Sequence, residues 1–197
     1  MSLQFNRKTF TASAWLTMIS AFATIPMAYL AITMEGRNDS VGTLTQVGLQ
    51  VVGTLLFVAI TLILKRFLNR LFVFHDTDKS INLMVITDIV TGVVLLTGIF
   101  FPELHGSTTK GALALMVFQG LVQLRFGYKL LRLHNNLGGM LKPFCCLNMA
   151  EGLCVASVVL IVPGIVFSAV SDLMLATIFF KVAQELKGVD LRRPGTE

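Results

Sequence analysis

Apolar runs of bilayer length recur along this chain and leave it few possible folds. Thr11 to Met34, Leu44 to Leu64, Ile81 to Phe101 and Gly111 to Leu131 are four such runs. A helix needs about 20 apolar residues to span a hydrocarbon core roughly 30 Å thick. A fifth run, from Lys142 to Lys181, is nearly twice as long as the others. As one helix it would be about 60 Å long, twice that thickness, so it must break. Pro163-Gly164 is the predicted break, because proline lacks an N–H and glycine tolerates a turn. That leaves Phe144 to Val162 and Gly164 to Phe180, two shorter crossings joined by almost no loop.

Backbone groups in hydrocarbon must be hydrogen-bonded within their own segment, which selects helices. The predicted fold is therefore all-α: a polytopic transmembrane bundle of six helices forming one integral membrane domain over residues 1–197. A short basic tail, 181–197, follows the last helix. Charge content agrees, since 14% of the residues are Asp, Glu, Lys or Arg, against about 25% in soluble domains. Arg7 and Lys8 before an apolar stretch, with Ala21-Phe22-Ala23 behind it, imitate a signal peptide. The apolar run continues through Ile25 to Met34, however, so the segment reads as a membrane helix.

The 16 basic and 11 acidic residues give a net charge of +5. Nucleic-acid binding would need a concentrated basic patch on a soluble surface. Here the bases recur beside alternate hydrophobic segments, the pattern of cytoplasmic loops. Six spans with both termini inside place all the bases on the inner side except Arg37 and Lys110. Five spans would also send Lys181, Lys187, Arg192 and Arg193 outward, so charge favours six. The expected location is the cell membrane, with both termini cytoplasmic.

A single offset of the chain against itself lays Arg66, Phe67, Arg70, Leu71, Phe74 and His75 over Arg125, Phe126, Lys129, Leu130, Leu133 and His134. Four of the six pairs are identical. Each block closes an even-numbered helix and ends in a histidine at the inner interface, so His75 and His134 form an equivalent pair. The implied architecture is three consecutive helical hairpins related as parallel repeats, each starting inside. Basic and aromatic residues at any inner helix end would produce part of this pattern by snorkelling.

Three acids fall within apolar runs: Asp88, Glu151 and Asp172. Each is costly in hydrocarbon and needs a partner, water or a role. Asp88 and Glu151 both lie seven residues beyond the start of their runs, and Arg125 lies at about the same depth. These three are expected to form an inner-half charge cluster, with Gln119 and Gln123 carrying a polar line outward along the fourth helix. Asp172 is expected nearer the outer side, apart from them. Gln46 and Gln50, four residues apart, share one face of the second helix and could join the same interior.

Other motifs carry less chemistry. His75-Asp76-Thr77-Asp78 could ligate a metal, but Asp78 and Ser80 just before a helix fit an N-cap better. His105 and His134 fall at opposite sides, so no histidine pair spans the core for haem; no metal or other cofactor is expected. Cys145, Cys146 and Cys154 lack metal-site spacing and read as reduced, apolar packing, with the first two placed where palmitoylation could occur. Gly152 with Ala156, and Gly164 with Ser168, are small residues four apart that let helices approach closely, within the chain or between copies.

No nucleophile–base pair, metal motif or nucleotide loop appears, so no enzymatic activity is expected. The leading functional expectation is a small carrier or channel-like bundle for a small solute or ion. The alternatives are a non-catalytic membrane subunit or scaffold, with a homo-oligomer or larger complex as its setting, and a lipid-handling enzyme at the inner leaflet using His75, Asp76, Asp78 or His134. The expected surroundings are the lipid bilayer, with no nucleic-acid partner.

Overall fold

The computed structural model describes residues 7–34, 39–135 and 137–191. It is all-helical, with no strand among the described residues. Six α-helices follow in order: α1 (Arg7–Met34), α2 (Ser40–Leu71), α3 (Asp78–Phe100), α4 (His105–Leu130), α5 (Leu141–Ser157) and α6 (Ile161–Leu191). Short 3₁₀ turns at Pro102–Leu104 and Leu137–Gly139 precede α4 and α5. Four helices, α1, α2, α3 and α6, are long and apolar enough to cross a membrane.

Each helix packs on its neighbours in sequence, and α6 closes the circle by packing extensively on α1. The result is a six-membered ring of alternating direction. One end of the ring carries the α1–α2, α3–α4 and α5–α6 connections and is called the turn end. The other carries the α2–α3 and α4–α5 connections and is called the termini end. Arg37, Arg192 and Arg193 from the charge pattern lie outside the described residues.

Large apolar side chains cover the outside of the ring. Trp15, Phe22, Leu55, Ile86, Val93, Leu121, Leu153 and Val166 are all exposed, the reverse of a water-soluble surface. The interior divides into two regions. At the termini end it is solid: Phe10, Phe67 and Phe179 are fully buried and meet edge-on or tilted at 5.4–6.3 Å between ring centres. Leu68, Leu130 and Ile178 complete this plug. Toward the middle and the turn end, polar residues replace the aromatics and the interior opens.

The helix boundaries differ from the sequence reading in one way that matters. The break between the last two helices is at Val158–Leu160, not at Pro163-Gly164. Ser157 explains the position: its hydroxyl donates to the Cys154 carbonyl at 2.8 Å and accepts from the Leu160 N–H at 3.2 Å. Val158 then reverses the chain with φ at 60°. Pro163 sits in the first turn of α6, where a missing N–H removes no intrahelical bond. The Gly164 N–H bonds back to the Leu160 carbonyl at 2.9 Å. Proline thus starts α6 and does not divide the run.

The start of α3 also differs. Thr77, not Asp78 or Ser80, occupies the N-cap position, and no side chain caps the helix there. Asp78 lies in the first turn, where its carboxylate accepts from Asn69 Nδ2 at 2.8 and 3.1 Å and from the His75 ring at 3.1 Å. It therefore ties α3 back to the end of α2.

Glycine lets the backbones of α4 and α5 approach closely. A Cβ placed on Gly120 of α4 would lie 2.5 Å from the Gly152 carbonyl and 2.6 Å from the Ala156 nitrogen of α5. Gly127 likewise faces the Cys145 carbonyl and Met149. The small pair Gly152 and Ala156 thus packs within the chain against α4. Cys145 and Cys154 are buried, Cys146 is exposed, and all three are free thiols.

Candidate functional site

Above the aromatic plug lies a cavity of about 280 Å³ to which all six helices contribute. Its polar groups come mainly from four of them: Ser20 and Thr24 of α1, Gln123 of α4, Asn148 and Glu151 of α5, and Ser168, Ser171 and Asp172 of α6. Apolar side chains of α2 and α3, including Phe57, Ile60 and Met84, face them.

The spacing along each helix explains this convergence. Asn148 and Glu151 are three residues apart on α5, and Ser171 and Asp172 lie three and four beyond Ser168 on α6, so each set shares one helical face. Those faces meet because α5 and α6 are antiparallel neighbours. Asn148 Nδ2 donates to Ser171 Oγ at 2.9 Å and to its own helix at the Phe144 carbonyl, also at 2.9 Å. Gln123 and Ser168 both hydrogen-bond the Glu151 carboxylate. Ser20 Oγ donates to Asp172 Oδ2 at 2.9 Å, joining α1 to α6.

Two carboxylates therefore share the cavity, each held by hydroxyl or amide donors. Among the described residues, no Lys or Arg lines it. This corrects the expected cluster of Asp88, Glu151 and Arg125. Arg125 is exposed on the outside of α4, because two residues along a helix is about 200° of rotation and Gln123 already faces inward. Asp172, expected apart, is instead the second acid of the site. The early break at Val158–Leu160 is the reason: α6 begins at Ile161, three residues before the predicted Gly164, which carries Asp172 about 4–5 Å further from the turn end.

Asp88 lies one turn beyond Met84 on the same face of α3, nearer the turn end, and outside the cavity lining. Thr54 hydrogen-bonds it, and Thr54 in turn accepts from Gln50 Nε2 at 3.3 Å. Its Oδ2 is buried without a hydrogen-bond partner, as is Oε1 of Gln119. Gln123 thus belongs to the cavity while Gln119 does not line it.

Gln46 and Gln50 do share a face, but that face lines a second cavity, about 380 Å³, at the turn end. Met27, Ala31, Leu95, His105 and Thr108 also line it. Gln46 Nε2 donates to the Met34 carbonyl there, linking α2 to the end of α1. His75 and His134 are exposed in the termini-end connections and line neither cavity. Asn148, Ser168 and Ser171 were not expected in the site, although their helical spacing relative to Glu151 and Asp172 carried the signal, and Ser20 reaches Asp172 only because α6 closes on α1.

This chain matches no protein-family model, no curated protein and no solved structure. The class that the fold itself defines is an all-helical bundle with membrane-compatible helices and a polar, acidic interior cavity.

Proposed function

We propose that the chain is a small membrane carrier or channel-like bundle that binds a small solute or ion in its central cavity. The single observation that supports this most is the pair Glu151 and Asp172. Buried ionisable groups are costly in a membrane, and a purely structural bundle would more economically pair each acid with a base or replace it with an apolar residue. Here the acids border open space and are held by donors from α1, α4 and α6.

In this reading all six helices cross the bilayer, the exposed apolar side chains face lipid, and both termini are cytoplasmic. The described bases support that orientation. Lys65, Arg66, Arg70, Lys79, Lys129, Arg132 and Lys142 lie at or near the termini end, whereas Lys110 is at the turn end. The repeat of three hairpins has support of the same kind. Phe67 and Phe126, equivalent under the offset, are both buried in the core, and Arg66 and Arg125 both lie outside it. His75 and His134 each come four residues after the last residue of their helix, Leu71 or Leu130.

Tracer influx into proteoliposomes tests the function, using sodium, potassium, methylammonium, acetate and glycerol as probes. At least one should enter faster than into protein-free vesicles, and Glu151→Gln should remove the excess while the protein still elutes as a single folded species. Influx of every probe at the protein-free rate would refute the reading.

A further inference from the structure

Both cavities have lining residues on continuous faces of the same helices. On α1, Ala31, Ala28 and Met27 border the turn-end cavity, and Met27, Thr24 and Ser20 border the central one. On α2, Gln46, Leu49 and Gln50 pass into Gly53, Leu56 and Phe57 in the same way. Met27 is common to both linings. The cavities are therefore stacked along the ring axis, and Met27 stands where one meets the other.

The junction is built around that side chain. Gly53 of α2 faces it: a Cβ at Gly53 would lie 3.8 Å from Met27 Cε. A methionine is unbranched and flexible, so it can swing without moving the backbone. Pro26, immediately before it, removes one bond of the α1 ladder, the one to the Phe22 carbonyl. Beside the junction lies Asp88, reached from the turn-end cavity through Gln50 and Thr54, with a buried carboxylate oxygen that no donor occupies. Beyond it, the central cavity is closed at the termini end by the Phe10, Phe67 and Phe179 plug.

Carboxylates recur along this line, and His105 lines its turn-end part. Asp88, outside both linings, hydrogen-bonds Thr54 next to Gly53, and Glu151 and Asp172 line the central cavity, while no Lys or Arg among the described residues lines either cavity. In the central cavity an anion would meet two carboxylates with no Lys or Arg among the described residues to compensate them, in surroundings that screen poorly. A small cation would find acceptor oxygens throughout, and the central cavity has room for it together with several waters.

We propose that the solute is a small cation, that the turn-end cavity is its vestibule, and that Met27 is the gate between the vestibule and the central cavity. This rests on the carrier reading above and gives it a substrate class and a direction of entry. The cation passes Met27 beside Asp88 and comes to rest between Glu151 and Asp172.

Charged thiol reagents test this without requiring turnover. In a Cys146→Ser background, Ala31→Cys reports on the vestibule and Thr24→Cys on the central cavity. The reconstituted full chain is treated with 2-aminoethyl methanethiosulfonate, a cation, or 2-sulfonatoethyl methanethiosulfonate, an anion, with rates normalised to a free thiol. The cationic reagent should modify Thr24→Cys at least tenfold faster than the anionic one. Adding Met27→Ala should raise the Thr24→Cys rate at least tenfold and leave Ala31→Cys within twofold. Gly53→Leu, which fills the space beside Met27, should slow modification of Thr24→Cys and is the independent check on the gate. Equal rates for the two reagents would overturn the cation assignment, and rates at Thr24→Cys indifferent to both Met27→Ala and Gly53→Leu would overturn the gate. Influx of acetate or glycerol without selectivity for cations would refute this proposal while leaving the carrier reading intact.

Discussion

Gly120→Ala is a severe test of the packing that holds the site together. The substitution adds one methyl group, and two effects oppose each other. Alanine is the better helix former by about 0.8–1 kcal/mol in an unconstrained helix. Against this, the new Cβ would stand 2.5 Å from the Gly152 carbonyl oxygen and 2.6 Å from the Ala156 nitrogen, both backbone atoms of α5. Heavy atoms rest at about 3.5–4.0 Å, so α4 and α5 must separate by roughly 1 Å. Overpacking of this kind typically costs about 1–3 kcal/mol, and the backbone atoms it meets cannot swing aside to absorb it. The net expectation is a loss of up to about 2 kcal/mol, which corresponds to a Tm lower by up to roughly 8 °C for a chain of this size. Gly48→Ala is the matched control, because a Cβ there meets nothing within 4 Å; it should leave Tm unchanged or raise it slightly. Thermal unfolding of both variants in the same detergent, followed by monodispersity on size exclusion, measures the difference. The separation should also weaken the Gln123–Glu151 hydrogen bond one turn away and so reduce solute binding. If Gly120→Ala is as stable as Gly48→Ala, the α4–α5 contact is not the close one described, and the placement of Gln123 against Glu151 fails with it.

Asp172→Asn should abolish tracer influx while lowering Tm by little, because asparagine can still accept from Ser20; normal influx would remove Asp172 from the site. Asn148→Ala leaves the buried Ser171 hydroxyl without its partner and should cost about 1–3 kcal/mol, visible as a lower Tm than for Cys146→Ser. Phe67→Ala, at the centre of the aromatic plug, should cost about 3–5 kcal/mol and open a leak toward the termini end; an unchanged Tm would mean that the plug is not tightly packed. Val158→Gly relieves a β-branched residue from a positive φ and should stabilise by about 1–2 kcal/mol, and a lower Tm would show that the turn depends on the valine side chain.

Much of the architecture was legible along the chain because bilayer length and hydropathy are one-dimensional properties. The four early runs all became helices, and the last run divided, as its length required, into α5 and α6. The depth of a polar or charged residue was also approachable from sequence, which is why Glu151 and Gln123 were both assigned to a polar interior. Which residues share a cavity was another matter. That depends on where each helix begins and how it is rotated against its neighbours, and an error of three residues in the start of α6 was enough to put Asp172 on the wrong side of the site. Arg125 failed for rotation: depth alone paired it with Glu151, while the inward face of α4 belonged to Gln123. Helices of membrane-spanning length, and the need for buried acids to find partners, follow from the free energy of each segment taken alone, so the amino-acid order sufficed for both. The reach of Ser20 to Asp172, 152 positions along the chain, exists only because six helices close into a ring and bring the first against the last.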